Sequence, residues 1–196
     1  MNVLRMAGSN DEDDKVIQVL GMRIFNDLAS SLKLALSGYS QTAAMILRDV
    51  LETVFLIDRF RGDAESIAQW RLADTTNRWK LFSPKNVRTH LDKRDRFEGK
   101  KRDAAYRLLS TLAAHPSMEG IAMLKPKGMD AHMGPFVEEA TLEAVLAETA
   151  KLAVQAGELV GNFLPLVEPL VAASYSAFVA SKNHWFLAHE IGGRNA

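Results

Sequence analysis

Residues 43–60 are apolar around almost the whole circumference of a helix. At about 100° per residue, Arg48, Glu52 and Arg59 form a narrow polar stripe on this helix. A helix of this kind is usually the centre of a bundle or is covered by a partner. The segment therefore predicts a helix-rich fold in which Arg48 and Glu52 are at least partly buried.

The rest of the chain carries the same periodicity of three and four residues. Ser9 to Glu12 matches a capping box, and Gly38 favours a helix end. Pro116 predicts another end at His115, because the residue before proline is disfavoured in a helix. Segments with helical pattern are 9–37, 40–60, 63–82, 85–97, 101–115, 138–161 and 165–187.

These segments predict an all-α fold: an antiparallel bundle of five to seven helices, because short connections favour antiparallel neighbours. Glycines and prolines crowd 117–136 around two short apolar pieces. This segment predicts a loop with a possible small β-hairpin. The chain, 1–196, reads as a single domain with disordered ends at 1–8 and 190–196.

Composition excludes several classes of function. Basic and acidic residues number 24 each, so no global field attracts nucleic acid or an anionic membrane. The chain has no cysteine, which excludes disulfides and thiolate sites and fits a reducing, cytoplasmic location.

The apolar stretch 163–180 contains Glu168, and a charge at the centre of a membrane helix costs about 2.5 kcal/mol or more. We expect a buried helix there and no membrane contact.

Arg48 and Glu52 lie four residues apart and can pair along their helix. Such a pair gives only about 0.2–0.5 kcal/mol, whereas burying each ion costs several kcal/mol. Other polar groups must therefore converge on the pair if it is buried. Three interpretations are open. The pair is a structural contact that fixes the helix register or a dimer interface, it is the base of a ligand or catalytic pocket, or it is exposed. The candidate partners are Tyr39, Ser40, Gln41, Tyr106, Ser110 and His115.

Two segments carry a resemblance to a known superfamily. GYSQTAAMILRDVLE at 38–52 is followed by YRLLSTLAAHPS at 106–117. The pattern is similar to a set of bacterial helical proteins with L-R-x-x-L-E and Y-x-x-L-S…H-P motifs. Those proteins resemble, remotely, the HEPN (higher eukaryotes and prokaryotes nucleotide-binding) superfamily, and the likeness covers about 16–120. The resemblance implies a helical bundle, a homodimer and a place in toxin–antitoxin or phage-defence systems.

Many HEPN proteins are metal-independent ribonucleases with an Arg, four to six residues, then a His. Here Arg107 and His115 have seven intervening residues, and no other Arg–His pair has the required spacing. If the chain cleaves RNA, Arg48, Glu52 and His115 would have to assemble in space, with His115 as acid or base. Tyr39, Tyr106 and Ser110 would support them.

The segment 78–103 is locally basic, with ten Lys or Arg against four acids and interspersed aromatic residues. Basic residues with stacking side chains predict contact with RNA or single-stranded DNA. The alternating charges equally describe a solvated helix. Because 138–168 holds six glutamates and one lysine, the bipolar charge also suits self-association. The candidate nucleic-acid contacts are Arg94, Lys100, Lys101 and Arg102.

Metal and cofactor patterns are missing from the sequence. The five histidines form no pair at helix-borne metal spacing, and no phosphate-binding glycine loop occurs. We predict no cofactor. The favoured function is a dimeric, HEPN-like interaction module of a bacterial stress or defence system, with an antitoxin or defence protein as partner. The alternatives are an endoribonuclease using Arg48 and His115, and an RNA binder using 78–102.

Overall fold

A computed structural model describes residues 11–63 and 65–189, and within them the chain forms nine α-helices and no strand. The all-α prediction is confirmed, although the helices are shorter and more numerous than expected. Helix α1 is Glu12–Leu36, and its N-cap Asp11 accepts a hydrogen bond from the Asp13 backbone N–H at 2.8 Å. The predicted capping residue Ser9 and the predicted disordered ends, 1–8 and 190–196, lie outside the described residues.

Helix α2, Ser40–Gly62, is the centre of the fold. A three-residue turn joins it to α1, and Gly38 in that turn has φ +83°, a conformation that suits glycine. Helices packed around it bury its apolar side, as the sequence predicts. Its side chains exposed by 4% or less are Ala43, Ala44, Leu47, Val50, Leu51, Val54, Ile57 and Phe60.

The predicted helix at 63–82 is two helices, α3 at Glu65–Leu72 and α4 at Thr75–Phe82. Asp74 separates them because its side chain accepts a hydrogen bond from the Asn77 backbone N–H at 2.9 Å and caps α4. Arg78 then donates to the Trp70 and Ala73 carbonyls at the end of α3, at 3.0 and 2.7 Å.

Helices α5, Pro84–Arg94, and α6, Lys101–Leu109, lie on one side of α2. A π-helical turn, Ser110–Ala114, continues α6 until His115, so the predicted end before Pro116 is confirmed. The β-hairpin predicted within 117–136 is wrong. The short helix α7, Met118–Ala122, and a series of turns occupy this segment, because Ser117 caps a helix by accepting from the Gly120 backbone N–H.

The last two helices are α8, Glu139–Gly161, and α9, Pro169–Ala188. α8 packs on α1 and α2 through Val145, Leu152 and Ala156. α9 packs mainly on α8, and Val171 is its one buried residue. The expectation of a buried helix here is wrong. Across the part of the chain that the structure describes, no helix is long and apolar enough to cross a bilayer.

Candidate functional site

Arg48 is the hub of a polar cluster between α2 and α6. Its Nε donates to the Ser110 hydroxyl at 3.0 Å, and its Nη2 donates to the Tyr106 hydroxyl at 2.6 Å. Its Nη2 also lies 2.8 Å from Glu52 Oε1. Tyr106 and Ser110 are four residues apart, so α6 and the π-helical turn present both hydroxyls to the same guanidinium.

The pair at the centre of this cluster is only partly sheltered from solvent. The Arg48 and Glu52 side chains are 27% and 25% exposed. Burial raises the pKa of Glu52, while the charge of Arg48 opposes that shift. Burial acts to lower the pKa of Arg48, but its hydrogen bond to Tyr106 and the charge of Glu52 raise it above its ordinary value. Arg48 therefore stays charged, and the carboxylate beside it holds a proton more tightly than a free glutamate.

Arg88 on α5 belongs to the same cluster, although the sequence did not predict it as a partner of Arg48. Its guanidinium carbon stacks 3.8 Å from the Tyr106 ring centroid, and its Nη2 lies 3.2 Å from Asp103 Oδ1. The residue is 7% exposed, and its Nε and Nη1 are buried without a hydrogen-bond acceptor. The signal was its spacing: Arg88 shares a helical face with the apolar residues Val87 and Leu91, both buried.

The structure places the other predicted site residues apart from Arg48. His115 is exposed, and its side chain makes no hydrogen bond to Arg48 or Glu52 within the described residues; only its backbone joins the π-helical turn, through Ser110 O at 3.1 Å. Tyr39 is 43% exposed at the start of α2, about 13 Å along the helix from Arg48. Gln41 instead donates to the Gly120 carbonyl of α7 at 2.7 Å.

A second polar cluster joins α1 to α2 next to Arg48. Arg23 donates to Asp49 Oδ2 through Nε at 2.9 Å and Nη2 at 2.7 Å. Burial, together with a hydrogen bond to Asp49 and the charge of Asp49, raises the pKa of Asp27. The charge of Asp49 acts on Glu52, so this second cluster adjoins the Arg48–Glu52 pair on α2.

Two of the four predicted nucleic-acid contacts, Arg94 and Arg102, form ion pairs with aspartates of the same chain. Arg94 lies 3.1 Å from Asp58 Oδ2 and 2.7 Å from Asp95 Oδ1. Arg102 lies 2.7 Å from Asp92 Oδ1 and also pairs with Asp95. Hydrogen bonds, first from Arg94 and then from Arg102, lower the pKa of Asp95 to about 2.

Lys100 and Lys101 are different, since both are exposed and neither forms an ion pair with any described residue. Lys101 Nζ lies 6.0 Å from the centroid of the Phe97 ring. These two lysines are the part of the predicted nucleic-acid contact whose charge is not already used by a neighbouring acid.

Two grooves flank α8. One, of about 490 Å³, lies beside the start of α6 and is lined by Arg61, Lys101, Arg102 and Glu158 among others. The other, of about 530 Å³, is mainly apolar and includes Leu108 and Leu112. Neither groove contains Arg48, Glu52 or Tyr106. Within residues 11–63 and 65–189, no three potential metal-binding side chains come together.

No family model matches the chain, and no characterised protein or solved structure matches it either. The resemblance to HEPN proteins stays a prediction that depends on the segments around Arg48 and Tyr106.

Proposed function

We propose that the protein is a non-enzymatic, HEPN-like helical module that acts as a homodimer in a bacterial stress or phage-defence system, with an antitoxin or another defence protein as partner. One observation carries this proposal: the Arg48 guanidinium is occupied by Tyr106, Ser110 and Glu52 of its own chain. A guanidinium held in this way fixes α6 against α2 and has few donors left for a substrate.

The ribonuclease alternative lacks its acid–base partner. His115 is exposed at the end of the π-helical turn, and its side chain has no hydrogen bond to the Arg48 cluster within the described residues. A general acid or base must reach the proton that it transfers, directly or through one water molecule. The geometry therefore favours the structural role for Arg48 over the catalytic one.

RNA binding is the second candidate function. It is favoured by Lys100 and Lys101, which are exposed and form no ion pair with the described residues; Lys101 lies near the Phe97 ring. An RNA contact through these lysines would weaken steeply as salt rises, because counterions are released on binding. Loss of binding in a Lys100→Glu and Lys101→Glu double variant, with binding retained in Lys85→Glu, would support this candidate.

The main experiment compares wild type, Arg48→Ala and His115→Ala. Each is incubated with single-stranded RNA in the presence of a chelator, and unfolding is followed on the same samples. We expect no cleavage by any of the three, a large loss of stability in Arg48→Ala and an unchanged stability in His115→Ala. Cleavage by wild type that disappears in a folded Arg48→Ala or His115→Ala protein would refute the proposal in favour of the ribonuclease.

A further inference from the structure

The side of α9 that faces away from α8 carries a regular exposed stripe, here called the outer stripe. Its spacing alternates between three and four residues, which is the spacing of a helix–helix seam. Its two ends are large and apolar, with Leu170 65% and Leu187 81% exposed. All six members are exposed: Leu170, Ala173, Ala177, Ala180, His184 and Leu187.

The opposite side of α9 contacts α8 through two aromatic rings. A Cβ placed on Gly157 would lie 2.4 Å from the Phe178 ring, and one on Gly161 would lie 2.3 Å from the Tyr175 ring. Both rings therefore rest directly on the glycine backbone. Lys182, the one charged residue of α9, pairs with Glu158 at 2.7 Å. The outer stripe is thus a surface of fixed orientation without a charged residue.

The spacing of the outer stripe is also symmetric about its midpoint, and the residue types match in two of its three mirrored pairs. About a midpoint between Ala177 and Ala180, Leu170 mirrors Leu187 and Ala173 mirrors His184. An antiparallel pair of α9 helices related by a two-fold axis would place each residue opposite its mirror position, as an isologous interface requires. The small side chains at the centre of the stripe allow the two helix backbones to approach each other, and the leucines pack against each other at both ends of the pair.

We propose that α9 packs antiparallel against α9 of a second copy of this chain through the outer stripe. This inference rests on the proposed dimeric module and names the surface that forms the dimer. It explains why a helix with so little polarity is left open on one side: the second copy removes that apolar surface from water.

Two further observations favour a second copy over a membrane surface. A helix that lies on a membrane carries a strongly basic polar face, whereas the one cation of α9 is already paired with Glu158. No described helix is suited to span a bilayer. The 20 residues of α9 make a helix about 30 Å long, and covering half of its girth on both copies buries roughly 1,000 Å² in total, the lower bound for a specific interface. The dimer is therefore expected to depend on concentration.

The test uses charge exchange between mirror positions and reads the dimer dissociation constant by sedimentation. Leu170→Glu and Leu187→Lys should each weaken dimerisation at least about 100-fold, because a two-fold interface contains every substitution twice. The double variant Leu170→Glu/Leu187→Lys should recover the dimer, since opposite charges then meet at both ends. Met133→Glu, at a position 96% exposed outside α9, is the control.

Each other result overturns the inference in a distinguishable way. Dimers that survive both single variants would place the interface elsewhere and leave the proposed dimeric module intact. A double variant that stays monomeric would reject the antiparallel pairing, because a parallel pair sets like charges opposite each other. Wild type that is monomeric throughout, or that binds phosphatidylglycerol vesicles through Leu170 instead, would remove the dimer from the proposed function, while the RNA-cleavage assay would still decide whether the protein is an enzyme.

Discussion

Helices α2 and α9 invert the usual relation between polarity and burial. α2 sits at the centre of the fold and carries Arg48 and Glu52, which pair with each other, while Arg48 also donates to Tyr106 and Ser110. α9 is almost free of charge, yet most of its surface is exposed. The chain thus provides partners for Arg48 on α2, whereas it leaves much of the apolar surface of α9 exposed. On the proposed function, the Arg48 cluster stabilises the fold and the exposed side of α9 is the surface for association.

The largest expected effect tests the α2 side of this comparison. Arg48→Met should lower the free energy of unfolding by about 2–3 kcal/mol, because Glu52, Tyr106 and Ser110 lose their shared partner. The figure stays below that for a fully buried pair because the Arg48 side chain is 27% exposed. Urea denaturation followed by circular dichroism measures it.

Arg88→Met is the matched control for that prediction. Arg88 is more deeply buried, but two of its donors have no acceptor and Asp103 keeps a second partner, Arg107, at 2.7 Å. Replacing it with an apolar side chain of similar size should change stability by less than about 1 kcal/mol. If Arg88→Met destabilised the protein more than Arg48→Met, the hub of the α2 cluster would be Arg88.

The next effect tests how firmly α9 is attached. In a Gly157→Ala/Gly161→Ala variant the new methyl groups displace the Phe178 and Tyr175 rings. The substitutions favour the α8 helix intrinsically by up to about 1 kcal/mol each, yet they should loosen α9. We expect amide exchange in α9 to rise about tenfold with little change in α2, as measured by mass spectrometry.

A variant in which Phe178 is also shortened, Phe178→Leu, gives the control for this prediction. The smaller side chain makes room above residue 157, so part of the protection of α9 should return. Faster exchange in α2 than in α9 would show that α8 had been disturbed as a whole, contrary to the separate attachment of α9.

A smaller effect concerns pH. Because burial raises the pKa of Glu52, the folded chain binds this proton more tightly than the unfolded chain. The resulting stability is fully present below the ordinary value of 4.5 and is lost as pH rises through the raised pKa. Glu52→Gln should flatten the curve of unfolding free energy above pH 4.5, where the wild type loses this contribution.

The exposed Glu143→Gln variant controls for the loss of one carboxylate. Asp27→Asn should act in the same direction as Glu52→Gln, because burial and Asp49 raise the pKa of Asp27 too. Work above pH 4 avoids Asp95, whose lowered pKa of about 2 makes its contribution fall as the solution becomes more acidic. An unchanged slope in Glu52→Gln would show that Glu52 titrates alike in both states.

The sequence was informative where a single helical face decided the outcome. The spacing of Tyr106 and Ser110 predicted that both could reach Arg48, and both do. It was misleading where tertiary contacts decided. His115 ends its helix with an extended backbone, and its exposed side chain makes no hydrogen bond to Arg48 within the described residues. Apolar content predicted burial for α9, and that prediction was wrong. Apolar content alone does not show whether another helix of the same chain covers the segment.

The smallest expected effect completes the comparison. Leu170→Glu should change the unfolding free energy of the monomer by less than about 0.5 kcal/mol, because the side chain is 65% exposed within one chain. Its neighbour Val171 is 1% exposed, so Val171→Glu buries an unpaired charge and should cost several kcal/mol or release α9. The measurement is made at protein concentrations below the dimer dissociation constant. A large loss in Leu170→Glu under those conditions would mean that the outer stripe is packed inside a single chain, and α9 would then be a core helix like α2.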